Sequence, residues 1–404
     1  MHSVTQTVLA VGVAALTACS TSQPAPESAP SPAATPPQEI TTTALNVSSV
    51  NPPIRLFGSD GKTHLSYDLV LQSMFNAPVT VTSIEVLSPD GASLLKLDGD
   101  EVSTHTAPVF FGEPTAVVPP SGSLATVMDV VVPRDQVPDR LTHRISYRTG
   151  TSDLASIVGT DHISGPELEV DSREPTPIVS PLKGPEWLNA NSCCAPAAPH
   201  RMGRIAVDGN SIKKFEEFAI DWAQLRGGKV FDGDGSRNEQ WYGFGADVLA
   251  VADGSVSATF DGLPNQTPNT PVTGLRGPRD YSGNHVSLQI SPGVWAVYAH
   301  LQPGSITVKT GQQVRKGQVI GKLGNSGNSS GPHLHFQLSD GPEITTSNSL
   351  PFSLNSYWLA GSVDPAALTS VDTAGVSPVL RVIGPGRQES TTYPLTYTVT
   401  NLGY

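Results

Sequence analysis

The sequence contains 404 residues, a length that exceeds one ordinary domain and predicts two or three. Its formal net charge is −12, which argues against a nucleic-acid-binding protein because such proteins carry basic surfaces. The 38 glycines and 36 prolines, together with only 15% charged residues, are typical of a turn-rich, mainly β globular protein. This composition excludes collagen, a coiled coil and a membrane protein built from many helices.

The N-terminus has the pattern of an export signal. Residues 8–18 form an apolar run that is too short to span a bilayer but typical of the core of a signal peptide. The run leads into Leu-Thr-Ala-Cys-Ser at residues 16–20, which resembles a bacterial lipobox, in which the cysteine is lipidated. We therefore expect a signal peptide over residues 1–18, lipidation of Cys19, and a Pro/Ala/Ser-rich tether over residues 19–40. The protein is then predicted to be exported to the cell envelope and lipid-anchored to a membrane that faces the cell wall.

Residues 41–172 carry repeated β-strand signals. Apolar and polar residues alternate over residues 65–71 and again over residues 143–147, and turns rich in Pro, Asp and Gly separate such runs. This pattern predicts an antiparallel β-sandwich. The histidines of the region are scattered and are expected to be surface or hydrogen-bonded residues: His64, His105, His143 and His162. Because no chemical constellation stands out, the expected roles of this domain are spacing, positioning or the binding of a protein partner.

The rest of the chain is predicted to contain a second β domain and two flanking segments. Residues 173–190 include four prolines and are expected to form an extended strap between domains. Residues 191–365 alternate short strands with loops rich in Gly, Asn and Ser, and they hold nearly all of the chemical information. Residues 366–404 form a β extension, in which residues 393–400 alternate like a strand. The sequence leaves open which β domain this extension joins.

The sharpest local signal is a pair of histidines separated by one residue. On a strand, His333 and His335 project from the same face about 6.5 Å apart, while Leu334 and Phe336 face the core. Two imidazoles that point into one space can form a metal site or an acid–base pair. Taken alone, the pair favours two exposed surface histidines, so its interpretation depends on the surrounding motifs.

Those motifs occur in order along residues 200–345: FAIDW around Asp221, VLAVADGSV, GNHVSL, VYAHLQPGSI around His300, VRKGQVIGKLGNSG, and GPHLHFQL around the histidine pair. Together they closely resemble the lysostaphin/LytM-type zinc metalloendopeptidases. The resemblance implies an antiparallel β core with a long open groove, one Zn²⁺ per chain, and Asp221 and His335 as metal ligands. It further implies that His300 and His333 are unligated catalytic histidines, and that the substrate is a peptide bond in peptidoglycan stem peptides or cross-bridges.

The first histidine ligand departs from the simplest form of this family, which places it four residues before the aspartate. Here that position is Glu217, and the best candidate is His200 on the preceding segment. Both residue types can bind zinc, so the sequence leaves His200 and Glu217 open as the remaining ligand. If neither binds, the alternative is a catalytically degenerate copy of the fold that binds the cell wall or activates another hydrolase.

Two adjacent cysteines, Cys193 and Cys194, precede His200 by a few residues. Zinc-binding cysteine pairs usually have two to four residues between them, so a Cys-Cys-His metal site is disfavoured. An exported protein is expected to oxidise its thiols, and with Cys19 lipidated each cysteine has only the other as an intramolecular partner. We therefore expect a vicinal disulfide that stiffens the His200 loop, in preference to two free buried thiols.

Overall fold

A computed structural model describes residues 41–110, 112–196, 198–368 and 377–403, which belong to one compact unit that begins at Thr41. The signal peptide, the lipidated Cys19 and the tether expected within residues 1–40 lie outside the described residues. In the described part of the chain, strands predominate and the longest α-helix has six residues, so the mainly β class expected from composition is confirmed. Every helix in this part is too short or too polar to span a bilayer.

The N-terminal region forms two antiparallel sheets. One has the order β1-β3-β8-β6 with β2 beside β3, and the other has the order β10-β9-β4-β5 with β11 beside β9 and β7 beside β4. The helical turns are α1 (Asp100–His105) and a 3-10 turn (Ala155–Ile157). The strands are β1 (Leu45–Ser49), β2 (Ile54–Phe57), β3 (Lys62–Ser73), β4 (Val79–Leu87), β5 (Ser93–Asp98), β6 (Thr106–Pro108), β7 (Val117–Val118), β8 (Ser123–Pro133), β9 (Arg140–Thr149), β10 (His162–Ser164) and β11 (Leu168–Glu169).

One hydrophobic core joins these two sheets, and strand alternation explains it. Tyr67 and Leu69 point into the core from β3, and Val79 and Val81 point into it from β4. The opposite face of β3 is also buried, although its side chains are polar, as with the fully buried Asp68. Residues 204–217 contact this second face through Ser66 and Asp68.

The second region is built around an eleven-stranded antiparallel sheet of order β21-β18-β19-β20-β23-β16-β13-β28-β26-β27, with β24 beside β23. The helical turns are α2 (Pro199–Met202), α3 (Pro278–Tyr281), α4 (Pro365–Leu368) and two 3-10 turns (Asn238–Gln240, Ile344–Thr346). The strands are β12 (Thr176–Ile178), β13 (Gly184–Asn191), β14 (Ile205–Val207), β15 (Ser211–Lys213), β16 (Ile220–Gln224), β17 (Asp247–Leu249), β18 (Gly254–Phe260), β19 (Asn284–Ser291), β20 (Val294–Leu301), β21 (Gln313–Val314), β22 (Val319–Lys322), β23 (Leu334–Ser339), β24 (Ser349–Leu350), β25 (Phe352–Leu354), β26 (Tyr357–Ser362), β27 (Arg387–Glu389) and β28 (Thr398–Leu402).

The register of this sheet brings polar residues of neighbouring strands into one row. Asn191 on β13 pairs with Asp221 on β16, and Asp221 pairs with His335 on β23. Residues that pair across strands share a face, so the side chains of the row emerge on the same side of the sheet. The residues that flank them in sequence are buried in the core on the other face, as Ile220 is.

The two segments that flank the second β domain in the sequence also join its sheet. Residues 173–190, expected as a strap, contribute β12 and most of β13, and β13 lies between β16 and β28. Pro185 is tolerated in β13 because the register with β28 shifts between Gly184 and Trp187. The extension over residues 366–404 supplies β28, so it joins the second region. The domain boundaries drawn from the sequence remain predictions.

Candidate metal centre

Three side chains from separate parts of the chain meet at the row of polar residues. His200 comes from α2, Asp221 from β16 and His335 from β23, and their ligand atoms all lie within 4.8 Å of one another. His200 Nε2 is 3.1 Å from Asp221 Oδ2, and His335 Nδ1 is 3.0 Å from Asp221 Oδ1. The side chains of both histidines are almost fully buried, and that of Asp221 is 16% exposed. The carboxylate is therefore shared between two imidazoles in a site that water reaches from one side.

Hydrogen bonds to the outer ring nitrogens set the tautomer of each histidine. His200 Nδ1 donates to the carbonyl oxygen of Ala219 at 3.2 Å, so in the neutral ring Nε2 carries the lone pair that can bind a metal. His335 Nε2 donates to Gln337 Oε1 at 3.0 Å, which leaves Nδ1 as the lone-pair atom. The amide of Gln337 is itself oriented, because its Nε2 donates to the carbonyl oxygen of Phe215 at 2.9 Å. Two oriented imidazole lone pairs beside a carboxylate are a donor set that fits Zn²⁺.

Asn191 links two members of this group. Its Nδ2 donates to Asp221 Oδ2 at 3.0 Å, and its Oδ1 accepts the backbone N–H of His200 at 3.2 Å. Sequence reasoning did not identify Asn191 or Gln337 as site residues. The signal for Gln337 was present, because it follows His335 by two residues on a strand and so shares its face.

The other two predicted histidines lie next to this group. His333 Nε2 is 3.4 Å from Asp221 Oδ1, and the ring centroid of His300 is 4.8 Å from that of His333. Each ring donates Nδ1–H to a backbone carbonyl at 2.8 Å, His300 to Ser326 and His333 to Gly331. In each ring this leaves Nε2 as the acceptor atom. All four histidines therefore have one ring nitrogen bonded to the surrounding structure, while the other nitrogen can hold a proton or bind a metal.

His300 has a left-handed backbone with φ of 60°, which is uncommon for a residue other than glycine. Its backbone N–H donates to the carbonyl oxygen of Ser282 at 3.0 Å, which helps to hold this conformation. The neighbouring Gly283 cannot be replaced without movement, because a Cβ there would lie 2.4 Å from the carbonyl oxygen of Ser326. Ser326 is the acceptor for the His300 ring, so the same tight packing orients both the backbone and the imidazole.

The ionisable side chains of this group shift one another's pKa values. Burial opposes the charging of His200, but the adjacent Asp221 carboxylate outweighs it and raises the pKa of His200 to about 9. Burial likewise opposes ionisation of Asp221, but His200 and His333 hold its pKa well below its usual value. Burial and the two neighbouring imidazoles of His333 and His335 lower the pKa of His300 well below its usual value, so His300 is neutral near pH 7.

Glu217 lies outside this group. Its side chain is 1% exposed, and its Oε1 accepts from Arg201 Nη1 at 2.7 Å and from the hydroxyl of Ser66. Of the two candidates for the remaining ligand, the structure brings His200 and not Glu217 to Asp221.

The two adjacent cysteines are joined by a disulfide, and both are buried. Cys194 also lies close to His64 and Asp129 of the N-terminal region, and these three residues form a second group with metal-ligand atoms within 4.8 Å. The sulfur of Cys194 is held in the disulfide and lacks the thiolate that zinc requires, so this group offers only two donors. His64 and Asp129 instead form an ion pair at 2.9 Å.

Beside the metal centre lies a cleft of about 320 Å³. Asp221 and His333 form part of its wall, and the remaining lining is largely apolar and includes Leu188, Ala190, Val230, Trp241 and Pro332. The cleft thus places an apolar surface next to groups that can hold a metal and move protons.

Residues 242–346 match the model of Peptidase family M23. The matched range contains His300, His333 and His335, whereas His200 and Asp221 precede it. The match confirms, for this part of the chain, the resemblance to lysostaphin-type peptidases that the sequence motifs indicated.

Curated relatives align with about a quarter of the chain. Peptidoglycan DD-endopeptidase ShyA of Vibrio cholerae serotype O1 is 40% identical over 90 residues, which are 22% of this chain and 20% of the relative. DD-carboxypeptidase/endopeptidase Mpg of Neisseria meningitidis serogroup B is 36% identical over 93 residues, or 23% of this chain and 19% of the relative. The chain thus spans about a fifth of the length of these relatives. The solved catalytic domain of lysostaphin from Staphylococcus simulans is 22% identical, covers 36% of this chain and 80% of its own, and gives a TM-score of 0.22.

Proposed function

We propose, from the premise that residues 242–346 form a domain of peptidase family M23, that this protein is a zinc-dependent endopeptidase of bacterial peptidoglycan. The proposed bonds are peptide bonds in stem peptides or cross-bridges, since one similar relative is named a peptidoglycan DD-endopeptidase and another a DD-carboxypeptidase/endopeptidase. The observation that carries the proposal is the convergence of His200, Asp221 and His335 within 4.8 Å.

In this proposal His200 Nε2, the Asp221 carboxylate and His335 Nδ1 hold the metal. A bound Zn²⁺ supplies Lewis acidity, which polarises a peptide carbonyl and makes water more acidic. Three protein ligands leave a coordination position open, which is the arrangement expected of a catalytic zinc site rather than a structural one.

The two remaining histidines supply proton transfer and hydrogen bonding at the reacting peptide bond. Neutral His300, with Nε2 as its acceptor atom, can take the proton of an attacking water. His333 Nε2 lies at the edge of the metal group and can donate to the oxyanion when protonated. The geometry is also compatible with the reverse assignment, so the proposal covers the pair and not the individual roles.

The cleft beside Asp221 and His333 is proposed to receive the substrate peptide. Its apolar lining suits the short aliphatic side chains of peptidoglycan peptides, and its position brings a bound peptide bond next to the metal group. A peptidoglycan substrate places the protein in the cell envelope. Lipid anchoring through Cys19 and a protein partner for the N-terminal β region remain predictions.

The proposal is tested with the full chain, purified with zinc and incubated with peptidoglycan sacculi. We expect about one zinc per chain by elemental analysis, and release of cleaved muropeptides that mass spectrometry identifies. His335→Ala is expected to lose both zinc and muropeptide release, whereas the wild type retains both. Muropeptide release by a zinc-free His335→Ala variant would contradict the proposal. A wild-type chain with neither zinc nor cleavage would favour the alternative of a wall-binding or hydrolase-activating protein.

A further inference from the structure

We propose that the N-terminal β region positions the first metal ligand, and that Ser66 and Asp68 on β3 are positioning residues for His200. This inference rests on the proposed function, since it concerns the same metal centre. It assigns a role to a region in which the sequence revealed no chemistry. The contacts involve residues 201–217, which connect His200 to the strand that carries Asp221 and are called here the connecting segment.

His200 lacks the support that the other two ligands have. Asp221 and His335 sit on neighbouring strands of the large sheet and are paired in register. His200 instead lies on a helix of only four residues. Its backbone N–H donates to Asn191 Oδ1, its Nδ1–H donates to the carbonyl oxygen of Ala219, and its Nε2 contacts Asp221. Because so short a helix has little stability of its own, the place of His200 depends on what holds the chain that follows it.

The polar face of β3 binds that following chain. The Ser66 hydroxyl donates to Glu217 Oε1, and Asp68 Oδ2 accepts from Arg204 Nε at 2.5 Å and from Lys214 Nζ at 2.6 Å. Ser66 and Asp68 are both fully buried, so these contacts are shielded from water. The N-terminal region thus contacts the connecting segment near its beginning and near its end.

Three further hydrogen bonds connect these contacts to Arg201, the residue that follows His200. Arg201 Nη1 donates to Glu217 at 2.7 Å, and Arg201 Nη2 donates to the carbonyl oxygen of Met128 on β8 at 3.1 Å. Lys214 Nζ, which is bound to Asp68, also donates to the carbonyl oxygen of Arg201 at 2.9 Å. Both the side chain and the backbone of Arg201 are therefore fixed by groups that β3 and β8 hold in place.

The buried charges make this arrangement depend on the docking of the two regions. The connecting segment buries three cations, Arg201, Arg204 and Lys214, and two anions, Glu216 and Glu217, of which Glu217 forms an ion pair with Arg201. Asp68 of the N-terminal region supplies a further anion of the cluster. Without Asp68, Arg204 and Lys214 would be left buried without their carboxylate, which is strongly unfavourable. The connecting segment therefore takes this conformation only against β3, and His200 reaches Asp221 as a consequence.

The first test compares zinc affinities of full-chain proteins, measured by competition with a chromophoric chelator. Ser66→Ala removes the hydroxyl that contacts Glu217, and we expect it to weaken zinc binding roughly tenfold. The visible absorption spectrum of the Co²⁺-loaded variant is expected to change as well, because the spectrum reports ligand geometry. Thr126→Val is the matched control, since the buried Thr126 hydroxyl bonds Thr106 within the same sheet, and its zinc affinity should equal that of the wild type.

Equal zinc affinity in Ser66→Ala and the wild type would overturn the positioning role while leaving the proposed function intact. Absence of zinc binding by the wild-type chain would overturn the proposed function and this inference with it. The two failures are therefore distinguishable.

A second test separates positioning from simple stabilisation. Asp68→Asn alone leaves the cluster with excess positive charge and is expected to lower the melting temperature. Adding Lys214→Met restores the net charge of the cluster, and we expect much of the melting temperature to return. Zinc affinity should nevertheless stay roughly tenfold below wild type, because the bond from Lys214 to the Arg201 carbonyl is lost. Full recovery of zinc affinity in the double variant would contradict the proposal.

Discussion

Each β region of this molecule contains a buried histidine–aspartate pair, and the two pairs differ in what surrounds them. In the N-terminal region His64 Nδ1 lies 2.9 Å from Asp129, and in the second region His200 Nε2 lies 3.1 Å from Asp221. In both pairs, burial opposes the charging of the histidine. Neighbouring carboxylates outweigh burial and raise the pKa of the histidine to about 9. By distance and charge alone the pairs are nearly equivalent.

The difference lies in the second nitrogen of the ring and in the other groups on the carboxylate. The second nitrogen of His64 faces another carboxylate, Asp60, at 3.4 Å, so the ring is held as a cation. The second nitrogen of His200 donates to a backbone carbonyl, and Asp221 is shared with His333 and His335. The second pair thus differs from the first because two further imidazoles, those of His333 and His335, converge on its carboxylate.

The largest expected difference between the two pairs appears when the carboxylate charge of each is removed in turn. We expect Asp221→Asn to reduce zinc content to near zero and muropeptide release to background, because the carboxylate is the shared group of the centre. Asp129→Asn should keep about one zinc per chain when saturated and should lose thermal stability only. Both are measured by elemental analysis and muropeptide mass spectrometry. Loss of zinc in both variants would mean that the two pairs are not functionally distinct.

A smaller effect is expected from a histidine that lies at the centre without being a proposed ligand. His300→Ala should retain zinc but lower the cleavage rate by roughly 10²–10⁴-fold, the usual contribution of general acid–base catalysis. His143→Ala is the control, since His143 is a buried histidine of the N-terminal region that bonds Tyr67. Its cleavage rate per folded molecule should be unchanged. Zinc loss in His300→Ala would place that residue among the ligands.

The two candidates for the remaining ligand can be separated by their effect on metal affinity. His200→Ala should weaken zinc binding by at least roughly 100-fold, because it removes a proposed ligand. Glu217→Gln should cost only about tenfold, since Glu217 acts through Arg201 and not on the metal. Isothermal titration of the metal-free proteins measures both. The opposite order would assign the ligand role to Glu217.

The orientation of His335 offers a further test of the centre. Gln337→Met removes the amide that accepts from His335 Nε2 while nearly preserving the side-chain volume. We expect zinc affinity to fall about tenfold to hundredfold, because the ring loses the contact that sets its tautomer. The readout is again a zinc titration. Unchanged affinity would show that the sheet alone orients His335.

The smallest effect concerns stability in the N-terminal pair. The pKa of His64 is raised to about 9 in the folded protein from an ordinary value of 6.5, so its contribution is complete below about pH 6.5 and is lost as pH rises through 9. We expect the difference in unfolding free energy between wild type and His64→Gln to shrink over this window. Denaturant titrations at several pH values measure it. Because other titrating groups are common to both proteins, a pH-independent difference would exclude the His64 cation.

Much of the candidate site was predictable because it depends on strand alternation. The period of two puts His333 and His335 on one side, and it separates Asp221 from the buried side chains that flank it. Asn191 was missed because the prolines before it indicated a strap, whereas β13 accommodates Pro185 at a bulge. Local pattern carries no information about that bulge or about the return of β28 to the same sheet.

The role of β3 was missed for a different physical reason. Alternating polar residues on a strand are typical of a solvent-facing surface, and Ser66 and Asp68 fit that pattern. They are buried because another part of the chain covers them, and the sequence does not indicate which part. The same limit applies to His285, which lies on β19 and is buried, with its Nδ1–H donating to the carbonyl oxygen of Gly283.

The position of β28 bears on how the protein is made. This strand lies between β13 and β26, and the Thr400 hydroxyl donates to the Trp187 carbonyl across 213 residues of sequence. The large sheet therefore cannot close while residues beyond β26 are still being synthesised, and such long-range pairing folds slowly. β28 links β26 and β27 to the strands that carry Asp221 and His335, so the last described strand of the chain completes the sheet that holds these residues.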